Sequence, residues 1–554
     1  MKASDLFVQC LEAEGVERIF GVPGEENADL MISLMNSSID FVLCRHEQAA
    51  AFAADAYGRL TGKAGVCLST LGPGATNLVT GLADANMDRA PVVAIIGQGS
   101  ISRLHKESHQ NMDSVAMMRP ISKWAQSIVS AKNITEVVRK AFKVAEQEKP
   151  GVTVIELPED IAKQDIDDKP IRINKVRRPA ADHKAIAEAA RLIGQAKKPI
   201  ILAGNGAIRK RAAKQLYRLA TKTGIGVVNT FMGKGAVPMD DPHCLFTMGL
   251  GSGDYNNLAF DDADLVISCG YDLVEYGPAA WNRTNKDDKT IIHIDFWPAE
   301  VDRDYQPTVE IVSDLADALW QLNEAVNDMY EDRLPLFDIQ DRAKLRGIMS
   351  DEFSAEKDDT AVPVKPQKIL WDVRQFMGPE DILLSDVGAH KMWIARHYQC
   401  QEPNTCLISN GFCTMGFAMP GSIGAKMAYP DKKVLSISGD AGFMMNVQEL
   451  ETAVRRKLNI VAMVWCDGEY GLIKWKQQNG FQGRHSDLSF NNPDFVQLAN
   501  SFGMWGREIT ATDQIIPTLE EAFQQDGPAL IAVPVDYSEN MRLSERLGNV
   551  SVAL

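Results

Sequence analysis

The sequence lacks the marks of several protein classes. Its nine cysteines, Cys10, Cys44, Cys67, Cys244, Cys269, Cys400, Cys406, Cys413 and Cys466, include no C-x-x-C pair, which excludes the spacing of zinc ribbons and dithiol redox sites. Most lie in apolar runs and read as small buried hydrophobes of a reducing compartment. No apolar run reaches the roughly 18 residues that a membrane helix needs. Basic residues are in deficit, 58 Lys and Arg against 74 Asp and Glu for a net charge of −16. Such a surface repels a phosphate backbone, so nucleic acid is not an expected partner. The opening stretch MKASDLFVQCLEAEGVERIF mixes Asp5, Glu12, Glu14 and Glu17 with apolar positions and predicts a helix rather than a signal peptide. A cytoplasmic location is expected. No Walker A pattern occurs, and no two histidines are adjacent.

What is present is a 554-residue chain, 45% hydrophobic and 24% charged, a composition ordinary for a globular enzyme and a length that suggests three or four domains. Segments rich in β-branched residues alternate with helical patterns, which predicts α/β layers with parallel sheets. Two polar, poorly periodic stretches interrupt this, Lys163 to His183 and Asp341 to Gln367. They divide the chain into three α/β domains, residues 1–165, 183–340 and 366–554. The outer two look alike. Cys67 to Gly97 lies without gaps over Leu435 to Trp465, each reading strand, Gly-rich turn, helix, strand, with Gly74 on Gly442 and Ala85 on Ala453. Any βαβ unit shares some of this pattern, so kinship and generic geometry both fit. In the middle domain Gly204-Asn205-Gly206 follows the strand PIILA, and a lone G-x-G marks a tight βα turn more than a nucleotide site.

Residues 434–471, VLSISGDAGFMMNVQELETAVRRKLNIVAMVWCDGEYG, set Asp440 after one apolar strand and Asp467 after the next. Ligands of open α/β sheets sit beyond the carboxyl ends of the strands, where both acids fall. Gly439, Ala441, Gly442 and Gly468 let backbone approach a bulky polyanion, and a helix after Asp440 offers unpaired N–H groups to phosphate. Carboxylates alone repel phosphate, so the pattern reads as a diphosphate site bridged by a hard cation such as Mg2+. Two aspartates capping turns fit the same residues.

At these residues the sequence resembles the thiamine diphosphate enzymes. Their G-D-G and, some two dozen residues on, N-N correspond to Gly439-Asp440-Ala441 and Cys466-Asp467. Ala441 replaces a glycine and Cys466-Asp467 the paired asparagines, but aspartate remains an oxygen ligand. The resemblance implies Mg2+ held by the side chains of Asp440 and Asp467 and the carbonyl of Glu469, with Tyr470, Gly471 and Leu472 continuing the cofactor-binding turn. VLCRHEQAAAFAADAYGRLTGKAGV, residues 42–66, puts Glu47 near a helix start, where it could simply serve the helix dipole. In the family, R-H-E presents the glutamate that bonds the cofactor's pyrimidine N1′ and favours the imino form whose nitrogen takes the C2 proton. Met415 in T-M-G matches the residue that wedges beneath the cofactor, although a core methionine is the plainer reading. SDVGAHKMW, residues 385–393, matches the diphosphate-side turn and makes Gly388, Ala389 and His390 candidate phosphate contacts. A structural histidine fits His390 as well.

The resemblance covers nearly the whole chain and is most detailed with the acetolactate synthase group, the acetohydroxyacid synthase large subunits. It is carried by FGVPGEEN (20–27), LGPGATNLVTGLADA (71–85), HQNMDSVAM (109–117) and IHIDFWPAEVDRDYQP (292–307). It implies decarboxylation of pyruvate and ligation of the two-carbon unit to a second 2-oxo acid, with 2-acetolactate and CO2 as products. Gln110 matches the substrate-side glutamine, and Pro23, Gly24 and Glu25 the loop that faces the thiazolium from a neighbouring subunit. A homodimer or homotetramer is implied, with Glu47 from one chain and Asp440 from another. Some departures bear on subclass. YDLVEYGP (271–278) stands where anabolic members carry a flavin-associated R-F-D-D-R-V-T-G, so no tightly bound FAD is expected. Lys476 stands where those members carry a tryptophan, with Trp475 one residue earlier, and GEEN puts Glu25 and Glu26 where catabolic members carry GAK. The acceptor and the pathway therefore stay open. A 2-oxo acid decarboxylase on the same scaffold is the alternative, against which stands the missing histidine pair. A non-catalytic thiamine-binding protein is disfavoured by the joint presence of Glu47, Asp440, Asp467 and Met415.

Overall fold

The β-branched runs build three six-stranded sheets, parallel throughout, in a computed structural model that describes residues 1–174, 177–250, 254–284 and 289–540. Residues 541–554, the end of the expected third domain, lie outside the described residues. In space the first sheet runs Asp40–Leu43, Arg18–Gly21, Gly65–Ser69, Val92–Gln98, Val152–Pro158, Trp124–Ser127. The third runs Cys406–Ile408, Ile382–Ser385, Val434–Gly439, Val461–Cys466, Ala529–Pro534, Trp505–Glu508. Counted within each sheet, both orders are 2-1-3-4-6-5. The outer domains thus share one topology, and the strands that overlay without gaps in sequence occupy the same third and fourth places in the two sheets. The intervening segment differs: one helix, Pro73–Met87, in the first domain, but two, Asp440–Met445 and Glu449–Arg455, in the third. The middle sheet runs Cys244–Thr247, Val227–Asn229, Pro199–Ala203, Leu265–Cys269, Thr290–Asp295, Val309–Val312, the doubly wound order of dinucleotide-binding folds.

Helices cover both faces of each parallel sheet, so its central strands read as continuous apolar runs rather than alternating ones. Val92–Gln98 and Val152–Pro158 are buried at every position. The helix Glu47–Thr61 is rich in alanine because it is crowded from two sides. Helix Ala418–Ala428 of the third domain crosses so closely that a side chain on Gly424 would strike the carbonyl of Ala53, and one on Gly81 would strike Ala51. Phe52 and Phe417 seal the crossing edge to face, with ring centroids 5.7 Å apart. The helix that carries Glu47 is therefore locked to the domain that carries Asp440.

The second polar stretch is not a plain linker. Ala343–Ser354 is a helix whose Met349 and Phe353 are buried, with Phe353 edge-on to Phe246. Two apolar residues four apart anchor one face, too sparse a signal to stand out among the charges of this segment. Seven cysteines are buried, Cys466 is half-buried and Cys413 is exposed. Among the described residues no helix is long and apolar enough to cross a membrane.

Candidate active site

Strands Val434–Gly439 and Val461–Cys466 are paired neighbours, with Gly439 opposite Trp465, so the residues that follow them, Asp440 and Asp467, leave the sheet side by side. Asp440 accepts hydrogen bonds through Oδ2 from the backbone N–H groups of Asp467 (3.0 Å) and Gly468 (2.8 Å) and from Asn492 Nδ2 (2.7 Å). Gly468 has φ +69°, a conformation in which glycine carries no steric cost. Burial and the neighbouring Asp440 push the Asp467 carboxyl up to about 7. Two carboxylates so placed resist joint ionisation unless a cation lies between them. Glu469 turns its carboxylate to Lys474 (2.7 Å), which commits the side chain and leaves the backbone carbonyl as its candidate ligand atom. A side chain on Gly471 would come within 2.9 Å of Asp467 Oδ2. Tyr470 is exposed and Leu472 half-buried on the same turn. A cleft of about 300 Å³ opens beside Asp467, Glu469 and Trp475. Among the described residues no group of three or more His, Cys, Asp or Glu side chains could hold a metal. Two carboxylates plus a carbonyl fit Mg2+, which takes few protein ligands and completes its shell with phosphate oxygens and water.

The turn after strand Ile382–Ser385 lies beside this pair. His390 is fully buried, its ring against Gly388 and Gly439 such that a side chain on either glycine would touch it. The ring donates to the Asp386 carbonyl, Nε2 has no partner among the described residues, and burial pushes its pKa down to about 3. A neutral imidazole whose one N–H is used leaves Nε2 as an acceptor, which suits a donor such as a hydroxyl or a water rather than a bare phosphate oxygen. Ala389 starts the helix Ala389–His397. The half-buried Met415 is held from behind: the next residue, Gly416 at φ +87°, donates to Asp386 Oδ1 (2.8 Å) and its carbonyl accepts from Asn446 Nδ2 (2.8 Å).

The first domain supplies a second group. Glu47 is the first residue of its helix, buried, with Oε2 accepting from Asn77 Nδ2 (3.0 Å) and Oε1 facing Gly74. The turn that presents it is fixed from the third domain, because Glu449 accepts from the backbone N–H groups of Arg45 and His46 (3.0 Å each). The loop with Pro23, Gly24 and Glu25 packs on Thr70, which a side chain on Gly24 would strike, and Thr70 donates to Glu26 (2.8 Å). Pro23 and Glu25 are exposed. Gln110, also exposed, has φ +57° and places its carbonyl over Gly72, next to the start of helix Pro73–Met87. Glu47, Gly24 and Gln110 thus border the Thr70–Gly74 turn, while Asp440, Asp467, His390 and Met415 border the third domain's strand ends. Among the described residues, no hydrogen bond joins the Glu47 carboxyl to Asp440 or Asp467. A larger cavity of about 930 Å³, between Arg59, Arg178, Asn205 and Lys432, touches none of these residues.

Sequence reasoning missed Asn77, Asp386, Glu449 and Asn492. Each acts on a residue distant in the chain, and none carried a local pattern.

Three domain families match in this order: the N-terminal TPP binding domain of thiamine pyrophosphate enzymes over residues 1–117, their central domain over 186–322 and their C-terminal TPP binding domain over 386–533. With paired acids at the strand ends of the last domain, they define a thiamine diphosphate-dependent enzyme. The chain is 36% identical over 547 residues to the acetolactate synthase of Bacillus subtilis, covering 98% of this chain and 95% of that one. It is 38% identical to the catabolic acetolactate synthase of Raoultella terrigena, covering 98% and 97%, and 34% identical to the isozyme 2 large subunit of acetolactate synthase from Escherichia coli, again covering 98% and 97%. The chain belongs to the acetolactate synthase family.

Proposed function

We propose that Glu47, Met415, His390, Asp440 and Asp467 carry the acetolactate synthase reaction, the formation of 2-acetolactate and CO2 from two molecules of pyruvate. The pair of acids at adjacent strand ends, Asp440 buried and Asp467 half-buried, is the observation that supports this most. Thiamine diphosphate, when bound, would supply a thiazolium able to accept the electron pair freed as CO2 leaves pyruvate. Asp440, Asp467 and the Glu469 carbonyl would hold Mg2+, and the Gly442 N–H would face the diphosphate, since the Ala441 N–H is already taken by Asp440 Oδ1 (2.8 Å); the buried His390 ring would line the same turn. Met415 would pack against the cofactor, held there by the Gly416 contacts behind it. Glu47 would hold a proton at the pyrimidine N1′, and the Pro23–Glu25 loop and Gln110 would line the substrate side. Glu47 and the Mg2+ ligands form separate groups within one chain, which supports an active site completed by a second copy in a homodimer or homotetramer. The cytoplasm is the proposed location. Product analysis tests the reading: with thiamine diphosphate and Mg2+, pyruvate is expected to give 2-acetolactate, and added 2-oxobutyrate to report the acceptor preference. Acetaldehyde as the main product would favour a decarboxylase.

The middle domain does not fit a flavin. At the switch point of its sheet, where a dinucleotide's diphosphate would lie, Glu275 already accepts from the Asn205 N–H (3.0 Å), Asp272 N–H (2.9 Å) and Thr230 Oγ1 (2.5 Å). A side chain on Gly204 would meet the same carboxylate. Lys149 is bound between Asp272 and Asp295. An incoming diphosphate would meet three carboxylates and N–H groups already engaged. Carboligation involves no net redox change, so the chemistry does not demand a flavin. The purified protein is expected to be colourless near 450 nm, and FAD added to enzyme saturated with thiamine diphosphate and Mg2+ to leave acetolactate formation unchanged. Activity that depends on FAD would overturn this.

A further inference from the structure

Helix Pro73–Met87 ends in two acids, Asp84 in its last turn and Asp88 as its C-cap, with no basic residue in that turn. Carboxylates at the negative end of a helix dipole work against the helix, and an acid kept from water needs partners, yet Asp84 is 0% and Asp88 1% exposed. Neither placement serves the helix itself.

Both acids face the turn that leaves strand Cys406–Ile408 of the third domain. Asp88 accepts from the backbone N–H groups of Gly411 (2.6 Å) and Asn410 (3.1 Å) and from Arg59 (3.3 Å), and Arg59 donates also to the Ile408 carbonyl (3.2 Å). Asp84 accepts from the Ser409 hydroxyl (2.7 Å), whose oxygen accepts from the Thr414 N–H (2.8 Å). The approach is close, since a side chain on Gly411 would come within 3.0 Å of Asp88 Oδ1. Cys413, at φ +56°, closes the turn on itself: its thiol donates to the Asn410 carbonyl (2.9 Å) and accepts from Lys391 (3.1 Å). A residue other than glycine keeps that conformation where its surroundings enforce it. The middle domain joins at the same point, with Asn205 Nδ2 on the Asp88 carbonyl (3.0 Å) and Asn410 Nδ2 on the Glu275 carbonyl (3.1 Å).

The turn so held ends on Thr414, and Met415 is next. On its other side Gly416 is bound to Asp386 within the third domain. Met415 is thus suspended between two anchors, one of which belongs to the first domain. We propose that Asp88 and Asp84 are positioning residues for cofactor activation, which by fixing residues 408–414 hold Met415 where it would pack against the cofactor. This rests on the reading of Met415 given above. A cofactor left unsupported there would lose the near approach of its pyrimidine nitrogen to C2, on which proton removal depends. The same helix meets the chemistry near its other end, where Asn77 holds Glu47. The two routes have to be told apart.

Exchange of the cofactor's C2 proton, read by NMR without substrate in enzyme saturated with thiamine diphosphate and Mg2+, is the measurement. Asp88→Asn offers one acceptor oxygen where the carboxylate offered two, and exchange is expected to slow roughly tenfold, the scale of a lost bond to a charged group. Ser409→Ala unties Thr414 from Asp84 and is expected to slow it about fivefold, the scale of one neutral hydrogen bond. Double-mutant cycles then locate the route. In a Met415→Ala background Asp88→Asn is expected to change exchange by less than about twofold, the limit of ordinary additivity, whereas in an Asn77→Ala background its effect persists in full. General loosening of the fold would slow exchange equally in both backgrounds. Wild-type exchange in both Asp88→Asn and Ser409→Ala overturns the proposal, as does an Asp88→Asn effect that survives Met415→Ala. If Asp88→Asn does not fold, Ser409→Ala carries the same two cycles. Wild-type exchange in Met415→Ala alone would remove Met415 from the mechanism and the proposal with it, an outcome distinct from a slow Met415→Ala beside silent Asp88→Asn and Ser409→Ala.

Discussion

In a Glu47→Gln variant, exchange of the cofactor's C2 proton is expected to slow by about 10²-fold or more, while thiamine diphosphate stays bound. The size is that of losing a positioned acid–base group. The carboxyl is buried at the start of its helix and fixed by Asn77, so under the proposed role it would meet the pyrimidine N1′ already oriented. Glutamine keeps the shape and the contact with Asn77 but cannot share a proton with a ring nitrogen. Hydrogen–deuterium exchange at C2, followed by NMR on quenched samples, measures this step before any substrate binds. Exchange at the wild-type rate would remove Glu47 from the mechanism. The Glu449 contact sharpens the expectation. Its carboxylate holds the Arg45 and His46 N–H groups, so a Glu449→Gln variant should disturb exchange far less than loss of Glu47 itself, because an amide oxygen still accepts from the same turn.

The sequence pattern made the site legible wherever function demanded small residues or acids at strand ends. Asp440 and Asp467 could be found because parallel strands exit at one edge, and the chemistry of a diphosphate there is narrow. The like fold of the outer domains was visible in one gapless pairing of segments, and both sheets have the strand order 2-1-3-4-6-5. What stayed hidden was the partnering. Asn492 reaches Asp440 from a loop 52 residues away, and Glu449 reaches Arg45 from 404 residues away. No periodicity encodes such contacts, since they depend on how finished domains dock. The Lys391–Cys413 pair escaped for the same reason; Cys413 is the one cysteine that a left-handed turn leaves exposed among the described residues. The helix Ala343–Ser354 was read as a linker because its buried face holds just Met349 and Phe353.

Asp440→Ala is expected to abolish Mg2+-dependent retention of thiamine diphosphate. Asp440 does two things at once. Its carboxylate is a candidate metal ligand, and its Oδ2 gathers the N–H groups of Asp467 and Gly468 and the amide of Asn492. Alanine removes the ligand and also releases the turn that aims Asp467 and the Glu469 carbonyl, so the diphosphate and the remaining acid face each other without their bridge. Two further variants separate these effects. Asn492→Ala takes away one hydrogen bond and no ligand, and should weaken cofactor binding by about tenfold or less. Asp440→Asn keeps an oxygen acceptor for the turn but halves the anionic charge offered to the metal, and should fall between the two. Titration calorimetry of thiamine diphosphate at several Mg2+ concentrations reads all three. The expected result is a cofactor affinity that rises with Mg2+ in the wild type and in Asn492→Ala but is flat and very weak in Asp440→Ala. Near-normal affinity in Asp440→Ala, still dependent on Mg2+, would show that the metal is held elsewhere.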